Sequence, residues 1–178
     1  MATCEQSQGQ TILQHGQSVA AMYKAMYGSN RSIILPQIIE DNLDLLLDQT
    51  CTADETGFED YHVFHDCGKP DCLTIDAEGK RHFPHHAMAS ARAWLVAGGD
   101  SYIGRLIEHD MDMHLMKPAD VPAYRHMDIA AILLLTAWAE LHSNATMFGG
   151  TESISYKIKA KSLIKLSRAI ITRLKETS

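Results

Sequence analysis

Apolar residues recur every three or four positions through most of this chain, in segments that Gly or Pro residues separate. This spacing is typical of helices that bury one face. The main exception is residues 73–83, where Asp-Ala-Glu-Gly at residues 76–79 divides two short runs and predicts a small hairpin or an irregular excursion. The pattern therefore predicts an all-α fold, a bundle of six or seven helices with little strand.

The expected helix ends follow from capping and breaking residues. Pro36 suits the first turn of one helix, Gly28 and Gly98 stop two others, and Asp100 and Asp128 are expected N-caps. With 178 residues, 46% of them apolar, the chain can bury a core as one domain over residues 1–178. The helices are expected at about residues 11–27, 36–49, 56–66, 84–97, 100–114, 129–146 and 153–175.

Charge and apolar runs exclude several classes of protein. No apolar run approaches the length of a membrane span, and residues 1–10 lack the basic and apolar segments of a secretory signal. The four cysteines form no Cys-x-x-Cys pair, which argues against a zinc knuckle. We therefore expect a cytoplasmic protein with reduced thiols and no membrane partner. A net charge of −6 also disfavours a dedicated nucleic-acid binder.

The C-terminal helix, at about residues 153–175, differs from the rest of the chain in its charge. Residues 156–175 hold seven Lys and Arg and no Asp or Glu. We interpret it as a solvated helix that docks on an acidic body through an apolar stripe. The alternative is a surface that attracts a nucleotide or a nucleic acid, although the net charge does not favour nucleic acid as a partner.

The pair His65-Asp66 is the feature that most strongly suggests chemistry. Consecutive His and Asp side chains converge on one metal ion only where regular helix geometry breaks. This pair ends a predicted helix, and Gly68 follows it, whose backbone freedom permits such a break. His15 lies on an otherwise apolar helical face, where a polar side chain needs a partner. These residues are candidates for a metal site.

Residues 65–69 read His-Asp-Cys-Gly-Lys, which resembles the HD-x-GK signature of the HD-domain metal-dependent phosphohydrolases. The resemblance extends over about residues 12–145. His15 matches the family's upstream helical His, His86 the His ahead of a small-residue helix, and His109 the His that closes the next helix. The family carries an Asp in its last helix. This chain departs from the pattern with Glu140, whose side chain is one methylene longer.

The resemblance implies a single helical domain of the HD type whose site binds one or two divalent ions, with Mn, Fe, Co, Ni and Mg as candidates. Asp66 would bridge the ions if there are two, and Lys69 would neutralise a phosphate oxygen beside them. The implied metal ligands are His15, His65, Asp66, His86, His109 and Glu140.

Three of these ligands have competitors in the sequence. His85 competes with His86, and either Asp112 or His114 competes with His109. If Glu140 is not a ligand, the nearest acids are Asp112 and Asp128. These alternatives stay open at the level of sequence.

The function that the resemblance implies is hydrolysis of a phosphate ester or anhydride, most often of a nucleotide, by a metal-activated water. An HD-type di-iron oxygenase is the alternative, because it uses the same ligand types to activate O₂. A non-catalytic module that keeps only a structural metal is the third reading. The exact substrate and the oligomeric state are not predicted.

Overall fold

The structure is a computed structural model that describes residues 1–7, 9–27, 33–50 and 55–177. It confirms the predicted all-α fold, with only two small two-stranded sheets among the described residues. None of the described helices is long and apolar enough to cross a membrane. The helices are α1 (Ile12–Lys24), α2 (Gln37–Glu40), α3 (Leu43–Asp48), α4 (Glu55–Phe64), α5 (His86–Val96), α6 (Ser101–Glu108), α7 (Asp112–Leu115), α8 (Met127–Ser143) and α9 (Ile154–Thr177).

Both small sheets are antiparallel hairpins. Strands β3 (Thr74–Ile75) and β4 (Arg81–His82) pair where the sequence predicts a hairpin, which confirms that prediction. Strands β1 (Glu5–Ser7) and β2 (Gln10–Thr11) were not predicted. Their residues are mostly polar, so they carry no alternation of apolar and polar side chains that would reveal a strand.

The chain divides into two compact units, and the first comprises Met1–Ala20 and Glu55–Met111. Within it, α6 packs against both α4 and α5. Trp94 lies near the end of α5, where its indole N–H donates to the carbonyl oxygen of Asp100 at 2.8 Å. The buried apolar side chains of this unit include Ile12, Val19, Tyr61, Ala91, Ile103, Leu106 and Ile107.

The second unit comprises Ala21–Asp54 and Asp112–Ser178. Its centre is α8, which is buried on every side from Ile129 to Leu141 because α3, α7 and α9 all pack against it. The indole N–H of Trp138 donates to Ser167 Oγ of α9 at 3.2 Å. Helix α9 buries an apolar stripe and exposes most of its Lys and Arg side chains, as the sequence predicts.

Two predicted helices are each broken into two in the structure. The helix expected at residues 36–49 divides into α2 and α3, because the side-chain amide of Asn42 donates to the Ile38 carbonyl oxygen at 2.8 Å and competes with the helical backbone. The helix expected at residues 100–114 divides into α6 and α7. At this break the backbone tightens, with the Asp110 N–H donating to the Ile107 carbonyl oxygen.

The predicted caps were partly right. Asp100 caps α6, since its Oδ1 accepts the N–H groups of Tyr102 and Ile103. Asp128 does not cap α8: the cap residue is His126, and Asp128 lies in the first helical turn, where an acid also complements the helix dipole. The expected stop at Gly28 lies outside the described residues.

Candidate metal centre

The candidate centre begins where α4 ends. Helix α4 stops at Phe64, and residues 65–68 form a turn in which the Cys67 N–H donates to the Phe64 carbonyl oxygen. His65 and Asp66, expected as the last residues of a helix at about residues 56–66, therefore lie just outside the regular helix. Their side chains come together, with His65 Nε2 3.3 Å from Asp66 Oδ2.

Asp66 Oδ2 is the point on which the centre converges. His15 Nε2, from α1, lies 3.8 Å from the same oxygen that His65 approaches. All three side chains are buried. Ligand atoms bound to one ion at about 2.0 to 2.2 Å lie roughly 3 to 4.3 Å from one another. The two observed separations fall in this range, so the three side chains fit a metal ion.

Backbone carbonyls orient two of the histidines. The Nδ1–H of His65 donates to the His62 carbonyl oxygen at 2.7 Å, and that of His86 donates to the Phe83 carbonyl oxygen at 2.9 Å. In this tautomer each ring keeps its Nε2 lone pair for a metal. Both Nε2 atoms face the carboxylate of Asp66.

His86 approaches the second oxygen of that carboxylate. It is the first residue of α5, and its Nε2 lies 3.5 Å from Asp66 Oδ1. His85, its competitor in the sequence, is exposed and has a left-handed backbone with φ of 56°. The structure thus brings His86 to Asp66, and the two carboxylate oxygens face different histidines.

Lys69 lies on the same side as His15 and His65. Its ammonium is buried and donates to Asp66 Oδ2 at 2.5 Å and to Gln6 Oε1 of β1 at 3.1 Å. It also lies 5.5 Å from the centre of the Phe83 ring. Sequence reasoning found the lysine but missed Gln6 and Phe83, because neither matches a motif and both reach the site through tertiary folding.

Two glycines let the backbones of this unit approach closely. A Cβ on Gly16 would collide with the carbonyl group of Val63 in α4, and a Cβ on Gly68 would collide with the backbone of Ala89 and Ser90 in α5. Gly68 has φ of −87° and ψ of −4°, which any residue adopts. The sequence-based reason for this glycine, backbone freedom, was therefore wrong: the position requires space.

Gly68→Ala should lower the free energy of unfolding by about 1 to 3 kcal/mol, because the added methyl group must push backbone rather than a flexible side chain. Chemical denaturation followed by circular dichroism measures the change. Gly104→Ala is the control, since its Cβ would meet only the side chain of Leu95 and alanine favours the helix. Equal stability of the two variants would contradict the close approach at Gly68.

Burial also affects the one thiol in the signature. The pKa of Cys67 is raised, first by burial and then by the negative charge of Asp66. Its Sγ donates to the Ser90 carbonyl oxygen at 3.3 Å. The buried group of His15, His65 and Asp66 does not include Cys67, so its donors are nitrogen and oxygen atoms.

The other two candidate histidines, His109 and His114, are placed differently. His109 is the half-buried C-cap residue of α6, and the buried residue beside it is Asp110. Asp110 and His65 each offer a ligand atom within 4.8 Å of the other. His114 belongs to the second unit, where its Nε2 pairs with Glu140 Oε2. The assignment of His109 as a ligand stays a prediction.

The acids proposed for the last ligand position all lie in the second unit. Glu140 is buried in α8 and pairs with His114. Asp112 accepts a hydrogen bond from the Tyr124 hydroxyl at 2.8 Å, and Asp128 is exposed in the first turn of α8. The assignment of Glu140 to the metal site stays a prediction.

Within the first unit, His15, His65 and Asp66 form a buried group able to hold a metal ion, with one ligand atom of each within 4.8 Å of the others. The donors are two imidazoles and one carboxylate, and a buried ammonium faces the same carboxylate oxygen. Protein-family models, curated proteins and solved structures were all compared with the chain, and none of them matches it.

Proposed function

We propose that this protein is a metal-dependent phosphohydrolase of the HD-domain type that hydrolyses a phosphate ester or anhydride, with a nucleotide as the favoured substrate class. One observation carries the proposal: two histidines and the ammonium of Lys69 converge on Asp66 Oδ2 in a buried site. A site that places a cation beside a metal-binding carboxylate suits a substrate that develops negative charge as it reacts.

The residues that would hold the ion are His15, His65 and Asp66, with His86 on the other carboxylate oxygen. Imidazoles combined with a carboxylate suit borderline transition metals such as Fe, Co or Ni better than Mg. A bound divalent cation lowers the pKa of a coordinated water and withdraws charge from phosphoryl oxygens.

Lys69 would act on the phosphoryl group. Its ammonium is held by Gln6 as well as by Asp66, so it keeps its position when the Asp66 charge is shared with a cation. The Phe83 ring lies within cation–π distance of the ammonium and limits its exposure to water. A desolvated, positioned ammonium stabilises a phosphoryl oxygen more strongly than a solvated one.

The proposal predicts metal-dependent release of phosphate, pyrophosphate or tripolyphosphate. The protein is stripped with a chelator and reloaded with Mn²⁺, Co²⁺, Ni²⁺, Fe²⁺ or Mg²⁺. It is then assayed against nucleoside monophosphates, nucleoside triphosphates and cyclic nucleotides, with the three products resolved. We expect activity with at least one borderline ion and none in the stripped protein.

Asp66→Asn should abolish that release, whereas His82→Ala should retain it. His82 is an exposed histidine of β4 that pairs with Asp76, so its loss controls for a general effect of removing histidine. A metal-loaded protein that hydrolyses none of these substrates but consumes O₂ with iron bound would replace the hydrolase proposal with the oxygenase.

A further inference from the structure

Asp110 is a buried carboxylate that the family resemblance does not explain. It follows the end of α6, only 4% of its surface is exposed, and the Tyr61 hydroxyl donates to its Oδ1 at 2.6 Å. Burying a carboxylate is costly unless charge or hydrogen bonds compensate it. The Tyr61 hydroxyl supplies part of that compensation, and a bound cation would add to it.

We propose that Asp110, positioned by Tyr61, is a further carboxylate ligand of the metal centre in the first unit. The proposal rests on the metal site of the proposed function but not on the reaction. The observation behind it is that Asp110 and His65 each offer a ligand atom within 4.8 Å of the other, close to the separation of two ligands on one ion.

The local architecture supports this role. Tyr61 lies on α4 four residues before His65, which directly follows that helix, so one short segment carries both the ligand and the residue that orients the acid. A carboxylate has about four lone-pair positions, and the Tyr61 bond to Oδ1 uses one of them. A hydroxyl that donates to a metal-binding carboxylate fixes its orientation, as outer residues do around metal sites.

Charge gives a second reason. A divalent ion bound by neutral imidazoles and Asp66 alone keeps a net positive charge in a buried place. A second carboxylate from Asp110 balances that charge within the same unit. The chain's two His-Asp pairs, at residues 65–66 and 109–110, would then each contribute an acid to one centre.

The test measures metal affinity rather than activity. The stripped protein is titrated with Co²⁺ against a competing chelator, and the visible spectrum of bound Co²⁺ is recorded as a report on its ligands. Asp110→Asn keeps the volume and the Tyr61 hydrogen bond but removes the charge, so we expect affinity to fall more than about 100-fold with a changed spectrum. Tyr61→Phe should weaken binding by about 10- to 100-fold.

Tyr124→Phe is the matched control, because it removes a hydroxyl that donates to another aspartate, Asp112, in the second unit. We expect its Co²⁺ affinity to equal that of the unaltered protein. Thermal unfolding of each stripped variant shows whether that variant folds. If Asp110→Asn does not fold, Tyr61→Phe still tests the proposal.

Unchanged affinity and spectrum in a folded Asp110→Asn would overturn the proposal and leave Asp110 as a core residue. Loss of binding in Tyr124→Phe but not in Tyr61→Phe would overturn it as well. The two proposals can fail separately. If metal binding depends on Asp66 and Asp110 but the protein releases no phosphate, only the hydrolase proposal is refuted. Hydrolysis with full metal affinity in Asp110→Asn refutes only the role of Asp110.

Discussion

His65→Ala and Asp66→Ala should each remove the bound metal and lower phosphate release by at least about three orders of magnitude. Both side chains are buried in the centre, and Asp66 is the group that His15, His65, Lys69 and His86 all approach. Both residues lie in a turn after α4 rather than inside a helix, so the helical circular dichroism should remain largely intact.

Metal content by mass spectrometry and activity on the best substrate of the screen measure this result. His82→Ala serves again as the control for a histidine outside the centre. Full metal stoichiometry in both folded variants would show that this pair does not bind the ion.

If the proposed function is right, Lys69→Met should lower kcat/KM by about 10²- to 10³-fold while the protein still binds its metal, because the lysine would contribute charge to the reacting phosphoryl group rather than a bond to the ion. Methionine preserves much of the side-chain volume. Lys80→Met is the control, since Lys80 is exposed in the turn of the β3–β4 hairpin.

The same variant should also change how metal affects stability. In Lys69→Met the buried Asp66 loses the cation at 2.5 Å, so the metal-free protein should be less stable than the unaltered one. Bound metal supplies the missing positive charge and should therefore raise the unfolding temperature more in the variant. Unchanged kcat/KM in Lys69→Met would show that the lysine takes no part in the reaction.

Local sequence patterns predicted the parts of this fold that depend on local interactions. Helix α6 was predicted from the Asp100 cap and the apolar spacing, and the cap forms as expected. The helix end beside His65 and Asp66 was predicted from two consecutive ligand residues followed by Gly68, about two residues later than the structure places it. These features are decided within a few residues of chain, so a single sequence contains them.

The features that sequence reasoning missed depend on tertiary contacts. Gln6 reaches Lys69 across 63 positions of sequence, and Tyr61 reaches Asp110 across 49. Neither residue carries a motif, and a polar side chain near a chain end gives no sign of what it will touch. The repeated His-Asp dipeptide was the one signal that could have directed attention to Asp110.

Each unit contains one of the chain's two tryptophans, Trp94 in the first and Trp138 in the second. Trp94→Phe leaves an indole that reports only on the surroundings of α8, and Trp138→Phe leaves one that reports only on the end of α5. Intrinsic fluorescence of the two single-tryptophan proteins can therefore follow the melting of each unit separately. If a metal binds in the first unit, the fluorescence of the two proteins would then show which unit the metal stabilises.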